Sequence, residues 1–265
     1  MKILPKIIGI LNVTPDSFSD GGQFLDPKHA LDQALKMQSE GASIIDIGGE
    51  STRPNAQPID SKEELKRILP IIETLQGVLS IPISIDTYKA EVAQHALSAG
   101  ASLVNDIWGL QGDPAMATVV AKYNSKIIIM HNQKGTSYAS PIIDEINTFF
   151  KKSISIAQNA GIPLERIILD PGIGFGKTVE QNKYVIKHLN QFHQHNRPLL
   201  LGTSRKSFIG KTLDLPENQR LEGTLATTVY GIMQGVEYFR VHDVTAHSRT
   251  LKMIESILDA CTETK

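Results

Sequence analysis

The sequence predicts an α/β protein, one domain over residues 1–265 built as a (β/α)8 TIM barrel, and three observations carry that expectation. Eight short apolar runs recur along the chain, helix-like stretches separate every consecutive pair, and polar or charged side chains stand at the C-terminal end of each run. Strict β/α alternation calls for parallel strands joined by right-handed crossovers, and eight repeats favour a closed barrel over an open doubly wound sheet. Such barrels occupy about 250 residues as a single unit, so a chain of 265 does not require a second domain.

The runs are β-branched or apolar, are bounded by Gly, Pro, Asn or Asp, and lack strict alternation, as strands buried on both faces do. In order they are KIIGILN (6–12), SIIDIGG (43–49), IPISIDT (81–87), SLVNDIW (102–108), KIIIMHN (126–132), RIILDPG (166–172), PLLLGTS (198–204) and YFRVHD (238–243). The helix before the second run, PKHALDQALKMQSEG, sets Ala30, Ala34 and Met37 on one stripe and stops at Gly41. The next, SKEELKRILPIIETL, opens with Ser61 and Glu64 spaced as a capping box, and Pro70 predicts a kink. His188, His193 and His195 fall on the helix after the sixth run and read as a solvated face. The last helix puts Leu251, Ile254, Leu258 and Cys261 on one side to close the outer ring, so Cys261 reads as packing. No linker, low-complexity tract or repeated sequence divides the chain.

Hydrophobic residues at 41% and charged residues at 21% describe an ordinary globular chain. A net charge of -1 lacks the long-range attraction that nucleic acid or an anionic membrane would need, so neither is an expected partner. With one cysteine there is no internal disulfide or thiolate cluster, which suits a reducing compartment. The N-terminal apolar run is broken by Pro5 and Asn12 without a signal-like cleavage site, and no segment reaches the roughly 18 apolar residues of a membrane span. A cytoplasmic location is expected.

A barrel forms its site at the C-terminal strand ends and the loops beyond them. Those ends supply Asn12, Glu50 with Ser51, Thr52 and Arg53, Asp86, Asn105 with Asp106, His131, Asp170, Ser204 with Arg205 and Lys206, and Arg240, His242 and Asp243. An unpaired carboxylate or amide inside a barrel costs several kcal/mol, so their convergence points to a ligand. Asp86, Asn105 and Asp170 suit the donor-rich edge of a flat heterocycle. Arg53, Lys206, Arg240 and His242 suit an anion, with arginine able to fork onto phosphate oxygens.

The loop DPGIGFGKT fails two nucleotide-binding patterns on spacing. A P-loop needs Gly where Pro171 stands, and GxGxxG needs Gly where Lys177 stands. Its glycines let backbone approach a ligand closely, and Phe175 at the tip either stacks on an aromatic ligand or anchors the loop. No zinc pattern is present, and the adjacent His242 and Asp243 point to opposite strand faces. Mg²⁺ held mainly by substrate phosphates leaves little sequence trace, and Asn12 is the candidate protein oxygen. The stretches NVTPDSFSDGGQF and ESTRPNA read either as lids that exclude water or as ordinary turns.

Taken together, NVTPDSFSDGG, GGESTRP, DT followed by ND, MH, DPGIGFGK, SRKS and RVHD resemble the dihydropteroate synthase family over residues 8 to 257, in the monofunctional bacterial form. The resemblance implies condensation of 4-aminobenzoate with a 7,8-dihydropterin bearing a 6-hydroxymethyl diphosphate, by departure of pyrophosphate and attack of the arylamine on a methylene cation. It makes Asp86, Asp170 and Lys206 catalytic and assigns Asp86, Asn105, Asp170 and Lys206 to the pterin. Arg240, His242, Asn12 and Mg²⁺ hold the diphosphate. Thr52, Arg53 and Pro54, with Phe18 and Phe175, shape an aminobenzoate pocket that sulfonamides target, and Ser207 receives the carboxylate. A homodimer is implied as well. Two departures, MHNQKG after the fifth run and DTYK after the third, leave the roles of Met130, His131 and Lys134 open, although Met130 stands among the substrate-binding positions. The rivals are a methyltetrahydrofolate–corrinoid methyltransferase barrel, which has no diphosphate to hold, and a pterin-binding scaffold without turnover.

Overall fold

The computed structural model describes residues 5–13, 27–51 and 57–260. Each expected run contains a strand: β1 (Lys6–Asn12), β2 (Ile44–Gly48), β3 (Ile83–Asp86), β4 (Leu103–Asp106), β5 (Lys126–Met130), β6 (Ile167–Asp170), β7 (Leu200–Leu201) and β8 (Tyr238–Val241). All named pairings are parallel, in the order β6-β5-β4-β3-β2-β1-β8-β7. The ring closes through a single bridge between Leu169 and Leu199, where Leu169 N donates to Pro198 O at 2.9 Å. Pro198 has no N–H to return, so β7, two residues long, starts only at Leu200 although its run is apolar from the beginning.

Outside the strands lie α1 (Pro27–Glu40), α2 (Ser61–Leu75), α3 (Ala90–Ser98), α4 (Met116–Lys122), α5 (Ile142–Asn159), α6 (Val179–Lys187), α7 (Ser207–Leu213), α8 (Leu221–Met233) and α9 (Val244–Asp259). Ala30, Ala34 and Met37 are the buried stripe of α1, and Gly41 ends it at φ +110°. The cap of α2 differs from the expected box. Asp60 accepts from Glu63 N at 2.8 Å, while Glu64 turns inward to Lys89. A buried cation outcompetes a solvent-exposed cap for that carboxylate, and α2 runs through Pro70 without interruption.

The three histidines are partly buried rather than a fully solvated face. They lie at the end of α6 and in the 3-10 turn that follows, and each ring contacts an acceptor: His188 with Tyr184 O, His193 with Gln234 O, and His195 with Asn147 Oδ1, at 2.8, 2.8 and 2.9 Å. On α9, Leu251 packs on the core but Leu258 is 43% exposed, so the expected apolar side is only half used. Cys261 lies outside the described residues. Among the described residues no helix is long and apolar enough to cross a membrane.

Two apolar layers result. The larger one fills the space between strands and helices, and a smaller one, Ile8, Ile44, Leu103, Ile128, Ile168, Leu200 and Tyr238, plugs the barrel lumen. Strand side chains alternate between faces, so any residue an even number of positions beyond one of these seven also points into the lumen, nearer its C-terminal mouth.

Candidate active site

One step of two residues up from the lumen plug brings Asp46, Asn105, Met130, Asp170 and Arg240 inward, and Asp86 stands two beyond the buried Ser84 on β3. A second step brings Asn12 and His242. The site therefore follows from strand periodicity: the apolar layer below excludes water, and the layer above it is polar. Asp106, His131 and Asp243 have the opposite parity and face away from the lumen. Asp106 caps the following turn by accepting from Trp108 N and Leu110 N at 2.8 and 2.7 Å, and burial pushes its carboxyl up to about 6. Asp243 is forked by Arg205 at 3.0 and 2.5 Å, which ties the loop after β7 to the end of β8.

Asp46 was not among the strand-end candidates because it sits in the middle of β2, yet it is the hub of the layer. Its Oδ2 accepts from Arg240 Nε at 2.6 Å and from Asn105 Nδ2 at 3.2 Å, and Arg240 Nη2 reaches Asp86 Oδ2 at 2.7 Å. Burial opposes the charge of Arg240, but Asp46 and Asp86 more than offset it and hold the guanidinium protonated. Burial lifts Asp86 to about 7 against the pull of Arg240. Asn105 spends one of its two Nδ2 hydrogens on Asp46, which fixes the amide, and its carbonyl oxygen is left to accept from a ligand. Asp46 Oδ1 and Asp86 Oδ1 are buried without a hydrogen-bond partner among the described residues, acceptors that a donor-bearing ligand would satisfy. The signal that would have found Asp46 was present: it follows Ile44 by the same two residues that separate Asn105 from Leu103.

Across the mouth, Asp170 Oδ1 accepts from Gly172 N at 2.7 Å, and burial raises the carboxyl above its usual range. Lys206 caps α7, donates its ammonium to Ile173 O and stands 4.7 Å from the centre of the Phe175 ring. Burial lowers its pKa to about 8, with Asp170 opposing the shift. Phe175 thus anchors the loop against Lys206 in this structure. Lys177, which spoiled the GxGxxG pattern, is buried beside His131.

Gly172 has φ +68°, and a Cβ there would lie 1.9 Å from His131 O. Gly172→Ala combines that contact with backbone strain, so we expect a loss of about 3 kcal/mol or more. A thermal melt checks this, and an unchanged midpoint refutes it.

Ser204 Oγ contacts His242 Nδ1 at 2.9 Å and accepts from His242 N at 3.1 Å, which fixes that ring at the end of β8. Asn12 Oδ1 lies over Gly48, 3.5 Å from where a Cβ would be, with Asp86 Oδ2 on the same spot at 3.8 Å. Ser207 is exposed at the first position of α7. Lys89, next to the unusual Tyr88, gathers Glu50, Glu64 at 2.6 Å and Ile59 O at 2.8 Å. Thr52, Arg53, Pro54 and Phe18 lie outside the described residues, as does most of both lid stretches. No group of three or more His, Cys, Asp or Glu side chains able to hold a metal occurs among the described residues.

A family model described as pterin binding enzyme matches residues 8–242. Dihydropteroate synthase of Clostridium beijerinckii is 51% identical over 253 residues, covering 95% of this chain and 94% of the relative. Among solved structures, dihydropteroate synthase of Clostridium difficile in the presence of pteroic acid superposes with a TM-score of 0.95 at 52% identity, covering 98% of each chain. The Xanthomonas albilineans synthase with 4-aminobenzoic acid gives 0.93 at 36% identity, covering 97% of this chain and 94% of that one.

Proposed function

Because the chain belongs to the dihydropteroate synthases, a family of pterin-binding enzymes, we propose that the polar layer above its lumen plug is where a dihydropterin diphosphate is read, ionised and captured. The reaction is a transfer: 4-aminobenzoate and (7,8-dihydropterin-6-yl)methyl diphosphate give 7,8-dihydropteroate and pyrophosphate, a step of folate biosynthesis. The observation that carries the reading is the convergence of Asp86, Asn105, Asp170, Lys206 and Arg240 on one mouth, anchored by Asp46.

In this reading the ring's amino and N–H edge donates to Asp170, to the Asn105 carbonyl and to the unsatisfied Asp86 Oδ1. Each bond favours an ionised or unprotonated acceptor, so binding lowers the carboxyls that burial had raised. Departure of pyrophosphate breaks the C–O bond and leaves a methylene cation conjugated with the ring. Asp170 and Asp86 face that developing charge with fixed negative charge in a site of low dielectric. The arylamine nitrogen then forms the C–N bond and its proton leaves to solvent or to pyrophosphate. No covalent nucleophile is required. Arg240 on β8 and His242 just after it are assigned to the diphosphate, with Ser204 setting the His242 ring. Thr52, Arg53, Pro54 and Ser207 are assigned to the aminobenzoate, a subsite for which sulfonamides compete.

Asn12 offers one neutral oxygen beside Asp86, a hard donor that suits Mg²⁺ arriving on the diphosphate better than a resident ion. Bound there, Mg²⁺ supplies neutralisation of the departing charge. We also infer a homodimer and a cytoplasmic location. For the first, Leu213, Tyr230, Met233, Met253 and Ile257 expose 48, 40, 62, 59 and 55% of their surface on the consecutive helices α7, α8 and α9. For the second, the support is the single cysteine.

The test is direct: purified protein, both substrates and Mg²⁺ should yield pyrophosphate and dihydropteroate in equal amounts, with the rate lost to a chelator and restored by added Mg²⁺. Absence of product at saturating substrates refutes the function, and indifference to chelation refutes the metal.

A further inference from the structure

The loop between β6 and α6 is held by two lysines, of which the proposed reaction uses only one. Lys206 donates to Ile173 O from the mouth side. From behind, Lys177 Nζ donates to Gly172 O at 2.9 Å and Phe175 O at 3.0 Å, and it lies 2.9 Å from His131 Nδ1. These acceptors match the three donors of an ammonium. Lys177 and His131 are 8% and 3% exposed, so the clasp is closed to solvent. The His131 ring is packed between Phe149, ring centres 5.0 Å apart, and Tyr138, 6.1 Å apart, and the His131 backbone N–H donates to the Asp170 backbone carbonyl at 2.9 Å. The Tyr138 hydroxyl donates to Gly176 O at 2.9 Å and Asn182 Oδ1 accepts from Gly174 N at 2.7 Å, so the loop is tied to the segment after β5 and to α6.

We propose that Lys177, paired with His131, is a positioning residue for the pterin subsite: it clasps the loop that carries Ile173 and Phe175 onto Lys206, and it supplies a buried cation facing Asp170. The inference rests on the assignment of Asp170 and Lys206 to the pterin.

The pair has a property that a plain lysine–carbonyl clamp lacks. When Lys177 is an ammonium, neutral His131 accepts at Nδ1. When Lys177 is an amine, two N–H bonds still reach Gly172 O and Phe175 O, and its lone pair can accept from His131 if the ring carries its proton on Nδ1. Loop geometry therefore survives loss of the charge. Burial lowers Lys177 to about 7 against the pull of Asp170, and burial with the nearby Lys177 charge keeps His131 neutral, down to about 2. The groups facing the pair are Asp170 from β6, Lys206 from α7, and Tyr138 with the apolar Phe149. Asp170 is the one whose ionisation the reaction needs, and Lys177 is among the cations that lower its pKa.

The sign follows. Asp170 must be ionised, so activity falls on the acidic side as it takes up a proton. Removing a cation that faces it raises its pKa and moves that limb to higher pH. Lys177→Met should therefore raise KM for the dihydropterin diphosphate about tenfold, change KM for 4-aminobenzoate less, and shift the acidic limb of kcat/KM upward. Lys177→Arg, which restores a cation and donors, should return the limb toward wild type. A folded Lys177→Met with wild-type pterin KM and an unmoved limb overturns the inference. If Lys177→Met does not fold, His131→Leu decides: it removes only the ring, leaves both loop carbonyls bonded, and should shift the limb the same way by less. An unmoved limb there overturns it too. Lys206→Ala run alongside separates the failures, because wild-type pterin binding in that variant refutes the site assignment itself.

Discussion

Lys206→Ala is expected to lower kcat/KM for the dihydropterin diphosphate by about 10²–10³-fold, the usual consequence of deleting one preorganised donor, while the barrel melts within a few degrees of wild type. The structural basis for separating the two effects is that, among the described residues, Lys206 forms no direct ion pair, its interaction with Asp170 being through space. Its ammonium donates to the backbone carbonyl of Ile173 and rests over the Phe175 ring. Losing a hydrogen bond from a charged donor costs about 1.5–3 kcal/mol, the lower end applying where, as here, the side chain is partly exposed. Its activity signature is also distinct. Burial lowers the Lys206 pKa to about 8, so the charged form is present below that pH and lost above it. Wild type should show an alkaline limb near there in kcat/KM, and the residual activity of Lys206→Ala should not. Steady-state kinetics across pH reads both. An alkaline limb that persists unchanged in the variant assigns it to another group and removes Lys206 from the reaction.

The barrel was legible in the sequence because strand runs, helical stripes and strand-end polarity repeat, and repetition survives errors in any single element. The weakest run, PLLLGTS, lost the start of its strand to the missing N–H of Pro198, a constraint that apolar content does not reveal. Asp86, Asn105, Asp170, Lys206, Arg240 and His242 were found because they end strands or follow them closely. Asp46 escaped because it stands in the middle of β2 rather than at its end, where sequence shows only a polar residue inside an apolar strand. What each side chain bonds to was beyond reach, since partners lie 59, 154 and 194 residues apart for Asn105–Asp46, Arg240–Asp86 and Arg240–Asp46. Glu64 shows the same limit in reverse: three-residue spacing pointed to a cap, and Lys89, 25 residues on, took the carboxylate instead.

Those long-range pairs make Arg240 a different case from Lys206. Arg240→Ala should abolish most turnover, by about 10²–10³-fold or more, and should also destabilise the protein, because it strands two buried carboxylates. Breaking a buried pair by removing one partner costs about 3–5 kcal/mol, and a chain of this size loses roughly 2–4 °C per kcal/mol, so the melting midpoint should fall by about 6–20 °C. Asp86 compounds the loss of activity. It already stands near 7 with Arg240 as the strongest force lowering it, and without the guanidinium it stays protonated at neutral pH and no longer offers a carboxylate to the ring. The second half of the prediction distinguishes this account from simple loss of a diphosphate contact. Asp46→Asn placed on Arg240→Ala removes one of the stranded charges while keeping the acceptor for Asn105, so the double variant should melt above the single one yet remain inactive. A double-mutant cycle should then give a coupling of about 0.5–3 kcal/mol. Additive melting shifts would mean that Asp46 and Arg240 are independent, and a wild-type midpoint in Arg240→Ala would mean that the ion-pair layer does not stabilise the mouth. If the cycle couples as expected, Asn105 for the pterin and Arg240 for the diphosphate share the Asp46 carboxylate at their base, with Asp86 joined to it through Arg240, and filling either subsite acts on the other through that network.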